Sequence, residues 1–410
     1  MHFTPEAVRQ QFPVFRQNEP RLPLFFDGPG GSQVPAVVGE KITQYWSGGT
    51  ANLGGYYPTS VQTGQLVAQA RGMVQAFLNA PAPDNIVFGA NMTTLTFHMS
   101  RILSREWQHG DEVIVTALDH YANVSSWQQA AVDRGAVIHQ ARIDEHQCSL
   151  DVEHLLALIN ERTRLVAVTY ASNTTGSIVD LRRIIAAAHQ VGALVYVDAV
   201  HFAPHQLIDV QALDCDFLVC SAYKFYGPHV GILYVAPRWL AHFEPYKVEP
   251  APNVGPGRFE TGTLNFEGLA GVIGTIEYLA QWGDTDASLR IRLAESFAQY
   301  QQHEQQLCEL FLSLMHTLPS VRLLGADIAD SSVRTPTFAL HFAHRTPASV
   351  AQALGEQNMC VWHGHFYALG LVRQLGLEDQ GGVLRIGMMH YNTEAEIHHL
   401  FEHLQRLEQG

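Results

Sequence analysis

The chain has 410 residues, of which 47% are hydrophobic and 16% charged, with a formal net charge of −14. That balance allows a sizeable interior and argues against extensive disorder, and with no basic run to offset the acidity neither nucleic acid nor an anionic membrane is a default partner. The length predicts one large and one smaller domain, and a small-molecule enzyme fits these bounds.

The first residues, "MHFTPEAVRQQFPVFRQNEP", carry charges and prolines where a signal peptide needs an apolar core, and even "GALVYVDAVHFAP" is interrupted by Asp198 and His201. A cytoplasmic protein without a membrane span is therefore expected. Cys148, Cys215, Cys220, Cys308 and Cys360 are odd in number and lack paired spacing, so neither a disulfide framework nor a zinc site is indicated. Histidines cluster at "HFAPH" (201–205), "WHGHF" (362–366) and "IHHLFEH" (397–403). Pro204 opposes the helix that would align His201 with His205, and the last cluster reads as a polar helix face, so no metal centre is expected.

From about residue 85 short β-rich runs alternate with helical windows. The runs are 111–117, 136–143, 164–170, 193–199, 216–220 and 231–235, with helices at 122–134, 151–160 and 180–191. Strands apolar on both faces and separated by helices predict an α/β fold with a mostly parallel sheet. After the Gly- and Pro-rich "APNVGPGRFETGTLNFEG" (251–268) come long helical windows at 269–282 and 287–317. Strand candidates follow at 335–342 and 383–389, and a last helix at 394–408. These predict a large domain over 21–268, a smaller α+β domain over 269–410, and residues 1–20 packing on the smaller one.

Ligands in parallel α/β sheets sit at the carboxyl ends of strands. Those positions hold His120, Asn173, Asp198, His201 and the stretch Ser221 to Lys224. Each alone reads as a cap or a packing group. Together, an amine and a carboxylate at neighbouring strand ends are what pyridoxal phosphate requires. The lysine condenses with the aldehyde, and the carboxylate keeps the pyridine nitrogen protonated.

The words "VYVDAVH" (195–201) and "LDCDFLVCSAYKFYGPHVGILYV" (213–235) closely resemble the cofactor-binding core of class V aminotransferase-like enzymes of fold type I, and most of all their cysteine desulfurase and selenocysteine lyase group. The resemblance implies pyridoxal 5'-phosphate on Lys224 and Asp198. "LDHYANVSSW" (118–127) puts His120 where an imidazole stacks on the pyridine ring, and "YASNTTGSIVDL" (170–181) puts Asn173 near the phenolate oxygen and the substrate carboxylate. "FGANMTTLTF" (88–97) implies that Thr93, with backbone amides of the helix start at Met92, holds the phosphate, Thr94 being a neighbour. Ser221 and Tyr223 add hydroxyls to that cradle. "RFETGTLNFEG" (258–268) implies a homodimer in which Thr263 reaches the partner's phosphate, and "VLRIGMMHYNT" (383–393) makes Arg385 the clamp on the substrate carboxylate.

The chain also departs from that pattern. His201 stands where the family usually has glutamine, as a donor that can also titrate, and Tyr223 replaces a histidine. A gapless match of "CVWHGHFYA" (360–368) puts Tyr367 where desulfurases carry the nucleophilic cysteine, with Cys360 seven positions upstream in the preceding strand. The resemblance therefore implies a desulfurase-like lyase acting on a small amino acid without a cysteine persulfide. The alternative is an epimerase or aminotransferase of the same superfamily, and an accessory protein retaining the cofactor is a third reading. "FFDGPGGSQVP" (25–35) and "GGTANLGGYYPTSVQTG" (48–64) are expected to line a weakly charged entrance.

Overall fold

The computed structural model describes residues 3–17 and 22–409. Seven strands build the main sheet: β1 (Ile86–Gly89), β2 (Glu112–Thr116), β3 (Val137–Ala141), β4 (Thr163–Thr169), β5 (Leu194–Asp198), β6 (Phe217–Ser221) and β7 (Gly231–Val235). Their spatial order is β1-β7-β6-β5-β4-β2-β3. Strands β2 to β6 pair in parallel, whereas β7 runs antiparallel to both β6 and β1. The sheet is thus mostly parallel, and its carboxyl ends gather Thr169, Asp198 and Ser221 on one rim.

Both faces are buried, which is why the strands read as unbroken apolar runs. Alternate residues serve different faces: Val195 and Val197 join one core, and Tyr196 between them joins the other. Helices α1 (Ala36–Ser47) and α2 (Pro58–Leu78) contribute to the first face, while α3 (Met92–Leu103) and α4 (Ala122–Arg134) cover the second. Helices α5 (Val152–Leu158) and α6 (Leu181–Gln190) return to the first. The run at 136–143 yields only Val137–Ala141, because β3 is the edge strand and has a neighbour on one side.

Helix α7 (Phe266–Leu279) starts ahead of the expected 269, since the Asn265 side chain accepts the Gly268 amide at 2.9 Å and caps it there. The composition change at 268 does not coincide with a change of core. Helix α7 packs on α1 and α2 within the main core, and the passage occurs inside α8 (Leu289–Met315). There Tyr300 still belongs to the main core, and Leu307 and Phe311 belong to a second one. That second core lies on an antiparallel sheet of β8 (Val321–Leu324), β9 (Thr337–Phe342), β10 (Trp362–Gly364) and β11 (Val383–Gly387), ordered β8-β9-β11-β10. Helix α9 (Glu394–Gln409) closes it with Ile397, Leu400 and Phe401.

Residues 1, 2 and 18–20 of the amino-terminal segment lie outside the described residues. Within it, the short helix Pro5–Arg9 sends Arg9 to Glu396 at 2.7 Å, and Phe12 enters the main core beside Tyr278 and Tyr391. Among the described residues no helix is long and apolar enough to cross a membrane.

Candidate functional site

Strand β6 ends at Ser221, and the chain turns at once through Ala222–Lys224. The Ala222 carbonyl accepts the amides of Phe225 and Gly227, both at 2.9 Å, and Tyr226 takes a left-handed conformation with φ 71° to close the turn. Lys224 is thereby directed inward, where its amine donates to the Pro29 carbonyl at 2.5 Å. Burial pushes this amine down to about 7, with the Arg385 charge acting in the same direction and Asp198 opposing. At the end of β5, burial raises Asp198 to about 6 against the pull of the Val200 amide and of Lys224.

These two groups face a cavity of about 500 Å³, which His120, Asn173, His201, Ser221 and Tyr223 also line. Met92 and Thr93 enter it from the start of α3, with Thr94 next to them. Asn91 caps that helix by accepting the Thr94 amide at 2.9 Å, and the Ser221 hydroxyl accepts the Met92 amide at 2.9 Å. The Thr93 amide, in the first turn, has no carbonyl four residues back to bond in the helix, and the positive end of the helix dipole faces the cavity.

His120 is pushed down to about 4 by burial and by the Lys224 and Arg385 charges, so its ring is neutral at physiological pH. His201 differs from expectation. Its Nε2 lies 3.1 Å from the Thr335 hydroxyl, and burial together with the charges of His205, Arg385 and Lys224 holds it well below the usual histidine range. It is a fixed neutral hydrogen-bonding group rather than a titrating one. Despite Pro204, residues 199–203 close a turn in which the Ala203 amide bonds the Ala199 carbonyl, and the His201 and His205 rings meet at 5.4 Å. The Tyr223 ring stacks on His229 at 4.7 Å.

Two of the expected residues stand outside this cavity. Arg385, on β11, is buried behind it, donating to the Asn173 carbonyl at 2.8 Å and lying 4.1 Å over the Phe366 ring. Among the described residues its Nε has no hydrogen-bond partner, and neither does Oδ1 of the neighbouring Asp27. Exposed Thr263 lines an adjoining groove of about 460 Å³ that shares Thr94 and His229 with the cavity. Residues 48–64 do not reach the cavity within one chain, and Tyr56 there is fully exposed, whereas Pro29 from the 25–35 segment does line it.

The segment after β10 bends sharply, with consecutive left-handed residues Phe366 (φ 50°) and Tyr367 (φ 60°). Asn173 donates to the Phe366 carbonyl at 2.9 Å, and the Tyr121 amide to the Tyr367 carbonyl at 2.8 Å. The Tyr367 ring then stacks on His120, centroids 5.1 Å apart. Cys360 sits in the two-residue strand Met359–Cys360 beside Leu24–Phe25, its thiol pushed up by burial and by Asp27. The other four cysteines are buried, each with its thiol raised by burial.

Sequence reasoning missed three contributors. Thr169, the last residue of β4, lines the cavity and was findable by the strand-end rule. Asp119, just before His120, is fully buried and accepts from Thr116, Asn123 and the Thr169 amide, and burial still pushes it up to about 8. The Pro29 carbonyl carries no side-chain signal at all.

The sequence model of the family described as aminotransferase class-V matches residues 24–400. An aminotransferase-like protein of Gibberella zeae is 32% identical over 96% of both chains, and a cysteine desulfurase of an Enterobacter species is 31% identical over 99% of both. The crystal structure of an Escherichia coli cysteine desulfurase is similar with a TM-score of 0.84 at 26% identity, covering 99% of this chain and 98% of that one. The cysteine desulfurase of Thermococcus onnurineus shares the fold with a TM-score of 0.89 over the full length of both chains. A buried amine and a buried carboxyl at adjacent strand ends, on a type I fold shared from end to end with such enzymes, have one common explanation: the chain belongs to the class-V aminotransferase family of pyridoxal phosphate-dependent enzymes.

Proposed function

We propose that this protein is a lyase acting at Cα and Cβ of a small amino acid, releasing the β-substituent without loading it onto a protein cysteine. The observation that carries this reading is Tyr367, stacked on His120 where a nucleophilic thiol is otherwise expected, with all five thiols either buried or raised by burial. A phenol cannot accept a sulfane sulfur. A thiol held in its protonated form is a poor nucleophile and carries none of the reactivity of a depressed-pKa cysteine.

Pyridoxal phosphate suits the groups around the cavity. An amine at about 7 is largely neutral near physiological pH, the Arg385 Nε is an unmatched buried donor, and the start of α3 offers amides to an anion. When bound, the cofactor supplies an electron-accepting ring that acidifies the substrate Cα–H. Lys224 is the base that takes that proton. Asp198 would hold a proton at the pyridine nitrogen, His120 would cover the ring, and Asn173 and His201 would offer hydrogen bonds on the phenolate side. Ser221, Tyr223 and Thr93 with its backbone amide would hold the phosphate, the Met92 amide fixing the Ser221 hydroxyl from behind. Arg385, whose Nη1 bonds the Asn173 carbonyl behind the cavity, would turn Nε and Nη2 to the substrate carboxylate and so fix Cα against Lys224. With the Cα proton on Lys224, the bond from Cβ to its substituent would break with its electron pair leaving on the substituent, while the pair freed at Cα forms a Cα=Cβ bond, and hydrolysis of that fragment gives a 2-oxo acid and ammonia.

We further propose a large unit over residues 21–268 and a small one over 269–410, with helix α7 and the first half of α8 packed into the main core as the join between them, and the functional particle a homodimer in which Thr263 completes the partner's phosphate site. The test is to incubate the purified holoenzyme with L-cysteine, cysteine sulfinate and thioether conjugates while following sulfide, alanine, pyruvate and ammonia. Release of the substituent together with pyruvate and ammonia from at least one substrate supports the reading, whereas alanine in their place contradicts it, because alanine keeps the Cβ electron pair on the amino acid. Exchange of solvent deuterium into Cα with no substrate loss, or a 2-oxo acid with pyridoxamine phosphate, replaces it with epimerisation or transamination.

A further inference from the structure

His390 is completely buried between the two cores, and the chemistry above makes no use of it. Its Nδ1 lies 2.9 Å from the Tyr226 hydroxyl and its Nε2 2.6 Å from the Tyr278 hydroxyl. Tyr300 stacks on the ring at 4.0 Å with planes 14° apart. Burial and the charges of His303 and His205 hold it well below the usual histidine range. A neutral imidazole donates through one nitrogen and accepts through the other, so one of the two tyrosine hydroxyls accepts from the ring and the other donates to it.

Tyr226 is the residue that closes the Lys224 turn in a left-handed conformation, a strained choice for an aromatic side chain. Two hydrogen bonds hold it there alongside ring contacts with Phe12, Tyr278 and Tyr391: its amide donates to the Ser32 hydroxyl at 2.6 Å, and its own hydroxyl meets His390. His390 also follows Arg385 by five residues on the chain leaving β11, so one imidazole ties the turn bearing the amine to the strand bearing the guanidinium. We propose that His390 is a positioning residue for Lys224: by holding the Tyr226 hydroxyl it keeps the turn Ala222–Gly227 in the conformation that presents the amine to the cavity. The inference rests on the proposed role of Lys224. The charges that act on that amine are Arg385 from β11 and Asp198 from β5. The titratable His120 and His201 and the Tyr223 ring, 4.9 Å away, also face it, and changing His390 substitutes none of these groups.

The test is the visible absorbance of the holoenzyme against pH in wild type, His390→Leu, His390→Asn and Tyr226→Phe, with thermal midpoints measured in parallel. His390→Leu and Tyr226→Phe are expected to move the absorbance transition by about half a pH unit or more, and His390→Asn, whose amide replaces Nδ1 against Tyr226, to move it less. A His390→Leu protein that melts earlier but titrates like wild type overturns the proposal, as does an equal shift in His390→Asn. Should His390→Leu not fold, Tyr226→Phe alone decides, an unshifted transition refuting the assignment. A Lys224→Ala protein whose absorbance equals that of wild type would instead overturn the role given to Lys224, and absence of turnover would touch only the proposed reaction.

Discussion

The His120 ring lies against Tyr367 with planes 28° from parallel, so one face of the imidazole is covered by a phenol that is itself 66% exposed. Burial holds His120 at about 4, and Tyr367 is part of what keeps water off it. Replacing Tyr367 with Ala is expected to raise the His120 value towards the ordinary 6.5. Titration of the histidine ring resonances by NMR reads this directly, and a value that stays at about 4 in the variant refutes the shielding role.

Lys224 is pushed from 10.5 to about 7, so between those pH values the unfolded chain binds a proton that the folded chain lacks, and stability rises with pH. In cofactor-free protein, Lys224→Met removes this dependence. The variant is expected to be more stable than wild type below pH 7 by an amount on the order of a few kcal/mol, with the advantage shrinking towards pH 10.5. Asp198, raised from 3.8 to about 6, works in a separate window and with the opposite sign: stability falls as pH rises through that range. Denaturant midpoints of the two proteins that run parallel across the alkaline range speak against a depressed lysine.

Arg385 offers two parallel donors to a carboxylate, and lysine at that site offers one point charge. Arg385→Lys is expected to raise KM for the amino-acid substrate by about tenfold or more, with a smaller loss in kcat. Equal KM values in the two proteins would remove Arg385 from substrate binding.

Stability away from the cavity depends on Arg71, which donates to both carboxylate oxygens of Glu260 at 2.8 and 2.7 Å, both side chains being buried. Glu260 also accepts the Phe88 amide, so the pair fastens β1 to the segment that leads to Thr263. Arg71→Ala leaves that carboxylate unpaired and is expected to cost about 3–5 kcal/mol in denaturant unfolding. A loss under about 1 kcal/mol would mean that water replaces the guanidinium.

Much of this architecture was legible because parallel strands buried on both faces announce themselves as apolar runs. Strand β7 and helix α4 fall on the residues expected for them, and nine of the expected site residues, from Met92 to Lys224, line one cavity. The unread parts follow from physics that a linear pattern does not carry. Edge strand β3 is shortened by its position in the sheet, and α7 begins early through one side-chain cap. The Pro29 carbonyl is backbone chemistry, invisible in residue type. His201 reads as a titrating group until its burial and its Thr335 partner are known, and the significance of His390 depends on two tyrosines that are 112 and 164 residues away along the chain.

The central claim is that the β-substituent leaves without residing on a protein thiol. Intact-mass and peptide mass spectrometry of the holoenzyme, quenched during turnover of a sulfur-containing amino acid, tests it most directly. The account predicts product release with no sulfur atom added to Cys148, Cys215, Cys220, Cys308 or Cys360. A persulfide on Cys360 that forms and decays at the rate of turnover would contradict it.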